Sequence, residues 1–183
     1  QQATLKVLDT LTWHDHAAVV LFDDEAVSNT DQLQAMTAEA IEEFKEYAED
    51  NISPQGGTQF DKAFNQAFEI FRSGGPTSAC NKVILFMTDG QSTANSPLIR
   101  SQAASLGVRI FTYALGSGAD VTLPKQIACE NGGMFHRVSD GANLGNVMAS
   151  YYKLYAAGMP KSERCKVRWT DYVDIISDVE LLT

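Results

Sequence analysis

Two short polar segments of the sequence carry oxygen atoms that could bind a divalent cation. In Gly56-Gly57-Thr58 a hydroxyl stands at the start of a predicted helix, and in Thr88-Asp89-Gly90 a carboxylate follows a strongly apolar run. Hydroxyl and carboxylate oxygens are hard donors, which suit Mg²⁺, Mn²⁺ or Ca²⁺ better than copper or structural zinc. Neither segment is specific alone, because Gly-Gly-Thr also caps helices and Thr-Asp-Gly also forms simple turns.

The elements next to these segments place both at one edge of a predicted sheet. The run from Lys82 to Thr88 is rich in β-branched and aromatic residues, which predicts a central parallel strand that ends at Asp89. A helix is predicted from about residue 60 to 71, directly after Thr58, with an apolar stripe of Phe60, Phe64, Phe68 and Phe71. Ligands of open parallel sheets bind outside the carboxyl ends of the strands. We therefore expect Thr58 and Asp89 to converge there on one cation.

The rest of the chain alternates between strand-like and helix-like hydrophobic periods. This alternation predicts an α/β fold, a doubly wound and mostly parallel sheet with helices on both faces. Further helices are predicted over residues 1–11, 31–50, 96–106, 123–130 and 144–156, and further strands over 17–22, 108–115 and 134–138.

Size and charge narrow the classes of function. The 183 residues suit one domain with the start of another, and a hydrophobic content of 44% suits a folded globular protein. The net charge of -9 and the lack of any Lys/Arg run argue against nucleic acid as a partner. No apolar run approaches the ~20 residues that a membrane span needs, so we expect membrane association only through a parent protein.

Sequence motifs of enzymes are absent. There is no G-x-x-x-x-G-K-[ST] phosphate loop and no G-x-S-x-G nucleophile elbow. His14 and His16 flank Asp15 without a third metal ligand nearby, and His136 has no serine or cysteine partner in its segment. We therefore expect no enzymatic activity. A metal-assisted hydrolase is the remaining enzymatic alternative, and it would require a paired histidine and carboxylate beside Asp89.

The cysteines and one asparagine bear on the compartment. Cys80, Cys129 and Cys165 are too widely spaced for a C-x-x-C redox or zinc motif. They could be buried reduced thiols, or they could form disulfides that include polypeptide outside this sequence. Asn51 begins an Asn-Ile-Ser glycosylation sequon, although Pro54 makes it a poorer acceptor. The residues alone leave the compartment open.

The order of these motifs resembles that of the von Willebrand factor A family over residues 1–158. Within that family, residues 79–90 (ACNKVILFMTDG) and 127–133 (IACENGG) look like the domain of calcium-channel alpha-2/delta auxiliary subunits. Residues 167–174 (VRWTDYVD) are similar to the opening of the cache domain that follows in those proteins. The resemblance implies an A-type domain over 1–158, and a linker with the start of a cache-like domain over 159–183.

The resemblance also assigns metal ligands. Thr58 matches the ligand of the family's second loop, and Asp89 matches the acidic ligand of its third loop, which often acts through water. The family's first strand, which lies at the centre of the sheet and ends in D-x-S-x-S, has no counterpart in this chain. We expect that strand and the first metal loop to come from other parts of the parent or from another chain. Metal binding by Thr58 and Asp89 alone is expected to be weak or absent.

The function that the resemblance implies is a metal-ion-dependent protein-interaction module. It would belong to an extracellular, membrane-associated auxiliary subunit of a voltage-gated calcium channel. The cation would be Mg²⁺ or Ca²⁺, and the partner a channel pore subunit or another cell-surface protein. An extracellular setting would favour disulfides at Cys80, Cys129 or Cys165. The alternative is a structural A-type domain with a degenerate metal site in an extracellular assembly or adhesion protein.

Overall fold

The computed structural model describes residues 1–52, 56–75, 77, 81–139, 142, 171–173 and 180–182. The first half holds α1 (Gln2–Leu8), β1 (His16–Ala17), β2 (Val20–Phe22), β3 (Ala26–Ser28), β4 (Gln34–Ala35), α2 (Ala38–Asn51) and α3 (Phe60–Arg72). The second half holds β5 (Lys82–Thr88), α4 (Ser96–Leu106), β6 (Val108–Leu115), α5 (Thr122–Glu130), β7 (Phe135–Val138), β8 (Asp171–Val173) and β9 (Glu180–Leu182).

A three-stranded parallel sheet carries the fold, in the order β5-β6-β7. Lys82 is in register with Val108 at the start of the first pair, and Thr88 is in register with Ala114 at its end. The other strands form separate antiparallel pairs, β1 with β4, β2 with β3, and β8 with β9. The α/β character of the chain thus rests on β5, β6 and β7 with the helices between them.

Alternating side chains of the sheet face two helical layers. One core contains Ile84, Phe86, Val108 and Ile110 together with buried residues of α3, α4 and α5. A second core, on the other face, contains Val83, Leu85, Phe111 and Tyr113 together with residues of α1. Because successive strand residues point to opposite faces, this partition is the expected result of helices on both sides of the sheet.

Helix α3 supplies the aromatic part of the first core. Phe60, Phe64 and Phe68 are at most 1% exposed, and their spacing of four residues puts them on one face of the helix. Phe86 of β5 packs among them, and Phe22 of β2 stacks on Phe86 with 5.2 Å between ring centroids. The predicted inward stripe of α3 is confirmed, and the Phe86 ring links β5 to the β2-β3 hairpin.

The outer edge of β5 is open among the described residues. There β5 has a hydrogen-bonded neighbour on one side only, β6. The side chains of Val83, Ile84 and Leu85 are only partly buried, whereas most of β6 is fully buried. Although Phe22 and Phe86 touch, β2 and β5 are not paired. The most apolar strand of the chain is therefore a sheet edge in this structure.

Two sequence predictions in the first half are wrong. Residues 17–22 form not one buried strand but parts of β1 and β2, whose residues are all only partly buried and which pair antiparallel to β4 and β3. The helix predicted from residue 31 begins at Ala38, because the Thr37 hydroxyl caps it by accepting from the Ala40 N–H at 3.2 Å. The predicted helix over 144–156 and the boundary at 158 lie outside the described residues.

Candidate functional site

Thr58 packs directly against the loop that follows β5. A side chain at Gly90 would put its Cβ 2.5 Å from the Thr58 Oγ1 and 3.3 Å from its Cβ. Only a glycine at position 90 therefore lets the two segments approach this closely. Thr58 is partly buried, and Asp89, one residue before Gly90, is exposed. The structure thus brings together the two loops that carry the predicted ligands.

An acidic turn between β2 and β3 forms the other wall of the Gly56-Gly57-Thr58 segment. A Cβ at Gly57 would lie 2.5 Å from an Asp24 carboxylate oxygen, so a larger residue there would displace the exposed Asp24 side chain. The Gln59 N–H donates to the Asp23 carbonyl at 2.9 Å. Lys62 of α3 donates to the Asp24 carbonyl at 2.7 Å. The segment before α3 is therefore held between the acidic turn and Gly90.

The loop after β5 is fixed at its start by two hydrogen bonds to the backbone of Gly90. The hydroxyl of Thr88, which is 5% exposed, accepts from the Gly90 N–H at 3.2 Å. The Gly90 carbonyl accepts from the Asp120 N–H at 3.3 Å. The Asp120 carboxylate also accepts from the Thr122 N–H, at the start of α5, at 2.8 Å. Loops after β2, β5 and β6 thus meet the start of α3 at one end of the sheet.

Loops that carry oxygen donors of the right kind meet at this end, but the donors are few. Thr58 offers a hydroxyl and Asp89 an exposed carboxylate, and both are ligands that Mg²⁺ and Ca²⁺ prefer. The bare backbone at Gly90 leaves no side chain between their loops. Within the described part of the chain, no three His, Cys, Asp or Glu side chains are grouped so that they could hold a metal ion. The residues fit part of a cation site, and their role as ligands stays a prediction.

Sequence reasoning missed four acidic residues around these loops: Asp23, Asp24, Asp61 and Asp120. Asp24 faces the two glycines, and Asp61 accepts from the Asn95 N–H at 2.9 Å. The signal for the turn was present, since Asp23-Asp24-Glu25 separates two short apolar runs in the manner of a hairpin. No comparable signal marks Asp61, whose partner lies 34 residues away.

Carboxylates with lowered pKa values lie outside these loops. The Lys45 ammonium, which hydrogen-bonds to Asp9, lowers the pKa of that carboxyl. The Ser96 hydroxyl donates to Glu130 at 2.6 Å and, as the largest cause, lowers the pKa of that group. Asp9 and Glu130 follow or end helices, and both accept bonds that hold neighbouring helices together. Their lowered pKa values therefore reflect structural contacts.

The remaining predicted sites are only partly within the described residues. Cys129 is exposed on α5 and has no disulfide partner among those residues, while Cys80 and Cys165 lie outside them. Asn51 is exposed at the end of α2, and its side-chain amide donates to the Tyr47 carbonyl at 2.9 Å. Disulfide formation and glycosylation both stay predictions. No helix in the described ranges is long and apolar enough to cross a bilayer.

Replacing Gly90 by alanine tests the contact between the two loops. Because the new methyl group would overlap the stiff, β-branched Thr58, we expect Gly90→Ala to destabilise the region by about 1–3 kcal/mol. Hydrogen exchange of the β5 amides in the full-length protein would measure this loss. Gly118→Ala is the matched control, since nothing lies within 4 Å of a Cβ there. Equal protection in both variants would contradict the close approach of Thr58 and Gly90.

Comparison with known sequences supports the predicted resemblance. Residues 1–150 match the von Willebrand factor type A domain family. The voltage-dependent calcium channel subunit alpha-2/delta-3 of Homo sapiens is 29% identical over 186 residues, which cover 95% of this chain and 17% of that protein. The inter-alpha-trypsin inhibitor heavy chain H4 of Bos taurus is 27% identical, over 84% of this chain and 18% of that protein. The chain therefore spans less than a fifth of the length of these relatives.

Solved structures share the fold at low sequence identity. A von Willebrand factor type A protein from Catenulispora acidiphila superposes with a TM-score of 0.69 at 23% identity, over 81% of this chain and 35% of that one. Proximal thread matrix protein 1 from the mussel byssus, in a structure with a zinc-occupied MIDAS motif, gives a TM-score of 0.64 at 20% identity, over 94% of this chain and 43% of that one. These likenesses confirm the predicted α/β class. With the match over residues 1–150, they show that the chain belongs to the von Willebrand factor type A domain family.

Proposed function

We propose that this chain is a cation-dependent protein-interaction module in an auxiliary subunit of a voltage-gated calcium channel. The observation that carries the proposal is the contact of Thr58 with Gly90, which puts a hydroxyl beside the loop that holds Asp89. Similarity to an alpha-2/delta-3 subunit over 95% of the chain supports the channel setting. The metal-loaded MIDAS motif of a protein with the same fold supports the cation.

In this proposal Thr58 and Asp89 hold one side of a divalent cation, Mg²⁺ or Ca²⁺, and further ligands come from polypeptide outside these residues. When bound, the cation supplies a positive centre with one open position. An acidic side chain of the partner would fill that position. Thr58 and Asp89 would orient this centre at the sheet edge, where the exposure of Asp89 leaves it accessible.

The partner and the compartment are inferred from the same relatives, and both are part of the proposal. The partner would be a channel pore subunit or another cell-surface protein, and the module would lie outside the cell with no catalytic activity. Disulfides that involve Cys129, which is exposed on α5, would fit that compartment. Glycosylation at Asn51, which is exposed at the end of α2, would fit it as well.

Substitution of the two ligands tests the proposal. In the full-length protein, Thr58→Ala and Asp89→Ala should each weaken partner binding by about tenfold or more, because loss even of outer-shell groups costs 10–100-fold. A chelator should weaken the unsubstituted protein to a similar extent and should have little further effect on the variants. Surface plasmon resonance against the pore subunit, with and without chelator, gives these affinities.

Ser101→Ala and Asp50→Ala serve as controls, because both residues are exposed on helices and neither lies in the loops that carry the ligands. Both should bind like the unsubstituted protein. Partner binding that is the same in all four variants, and insensitive to chelator, would contradict a cation-dependent mechanism.

A second candidate is a structural A-type domain with a degenerate metal site. It is favoured by one observation, that the described residues contain no group of three His, Cys, Asp or Glu side chains that could hold a metal. Isothermal titration of the full-length protein with Mg²⁺ and Ca²⁺ separates the two candidates. Absence of measurable cation binding would favour the structural role.

A further inference from the structure

Asp61 connects the helix that follows Thr58 to the end of the loop that begins at Asp89. It lies in the first turn of α3, three residues after Thr58, and its Oδ1 accepts from the Asn95 N–H at 2.9 Å. Asn95 in turn caps α4, because its own Oδ1 accepts from the Leu98 N–H at 3.1 Å. One carboxylate therefore joins the start of α3 to the start of α4.

The segment between Asp89 and α4 has little regular structure of its own. Residues 91–95 form neither helix nor strand. The start of this segment is held by the bond from the Asp120 N–H to the Gly90 carbonyl at 3.3 Å, and its end by the bond from Asn95 to Asp61. The position of this segment relative to Thr58 thus depends on a side-chain contact made by the same helix that Thr58 precedes.

We propose that Asp61 is a positioning residue for the cation site. This inference rests on the proposed function, because in it Asp61 keeps the Asp89 segment at a fixed distance from Thr58. The bonded oxygen of Asp61 is engaged by a backbone N–H, so the residue acts through the loop. Outer-shell groups that orient ligands contribute strongly to metal affinity, and Asp61 would do so through the backbone of the Asp89 loop.

What the geometry requires of residue 61 is a hydrogen-bond acceptor. Asparagine keeps a carbonyl oxygen at the same place and removes the charge, whereas alanine removes both. The two substitutions therefore separate positioning from electrostatic attraction. If Asp61 acts by positioning, Asp61→Asn should retain cation affinity that Asp61→Ala loses.

The test is a calorimetric titration of the full-length protein with Mg²⁺ and, separately, Ca²⁺. Asp61→Ala is expected to bind about tenfold more weakly, while Asp61→Asn should stay within about twofold of the unsubstituted protein. The matched control is Asn65→Ala. Asn65 accepts from the Gln102 amide at 3.4 Å, so it also links α3 to α4, but one turn further from the loops. The cation affinity of the Asn65→Ala variant should be unchanged.

Hydrogen exchange in the presence of chelator provides a second readout that needs no cation. The amides of residues 90–95 should exchange faster in Asp61→Ala than in Asp61→Asn or Asn65→Ala, because only the alanine variant frees the end of the segment.

The outcomes distinguish this inference from the function on which it rests. If Thr58→Ala abolishes cation binding and Asp61→Ala does not change it, the role of Asp61 is wrong and the cation site stands. If Asp61→Asn loses as much affinity as Asp61→Ala, charge matters and positioning is refuted. If the unsubstituted protein binds neither cation, the proposed function fails, and the role of Asp61 fails with it.

Discussion

Residues 1–183 on their own should show no cooperative thermal transition. The reason is the outer edge of β5, which has no strand beside it in the described structure although β5 is the most apolar run of the chain. Each buried backbone group without a partner costs about 1–3 kcal/mol, and an open apolar edge invites pairing between chains. In the full-length protein we expect a further strand, supplied by the same or another chain, to cover this edge.

Circular dichroism during heating and hydrogen exchange of β5 would measure this difference. The β5 amides should exchange slowly in the full-length protein and fast in the isolated chain, which should also aggregate. Amides of β6, which has neighbours on both sides, are the internal reference. A sharp melting transition of the isolated chain, with protected β5 amides, would show that β5 is stable as an edge.

Phe86→Ala is expected to destabilise the core severely. Phe86 is 5% exposed. Three rings surround it, with centroid distances of 5.2, 4.8 and 4.7 Å to Phe22, Phe60 and Phe64. Removal of a buried phenylalanine costs about 3–5 kcal/mol, because transfer energy is lost and a cavity remains. Since a domain is stable by only about 5–15 kcal/mol, this loss should be severe.

Hydrogen exchange in the full-length protein would measure the loss, because it reports on this domain separately. Exchange in β2, α3 and β5 should accelerate together, since the Phe86 ring contacts residues of all of them. Leu98→Ala is the control, as Leu98 is 45% exposed, and it should change stability by no more than about 0.5 kcal/mol. A Phe86→Ala variant with the exchange pattern of the control would mean that the aromatic cluster does not stabilise the domain.

The second half of the fold was predictable from local patterns. The apolar run at 82–88 and the aromatic stripe of α3 both contribute to the core. Their hydrophobic patterns therefore predicted the strand and the helix that they form. The first half was less predictable, because short antiparallel pairs depend on partners rather than on period. Gln34 and Ala35 pair with β1 although their neighbours Leu33 and Met36 continue the helical pattern of α2.

The candidate site was predictable only in part. Thr58 precedes a helix and Asp89 follows a strand, and these places indicated that their loops would meet. The contact of Thr58 with Gly90 does bring those loops together. The tether from Asp61 to Asn95 could not be predicted, because 34 residues separate them and either side chain would suit a solvent-exposed helix start. The local sequence identifies the candidate oxygen donors. The distance between them depends on long-range hydrogen bonds, which the local sequence does not reveal.

Of the two glycines that face Thr58 and Asp24, one also offers a way to read related sequences without coordinates. At positions 57 and 90 even a methyl group would approach a neighbouring oxygen to 2.5 Å. A homologous chain with a larger residue at position 90 must hold the loops of Thr58 and Asp89 further apart, whereas at position 57 the exposed Asp24 side chain can turn away. The residue at position 90 therefore reports, in an alignment, whether a given member of the family can form this junction.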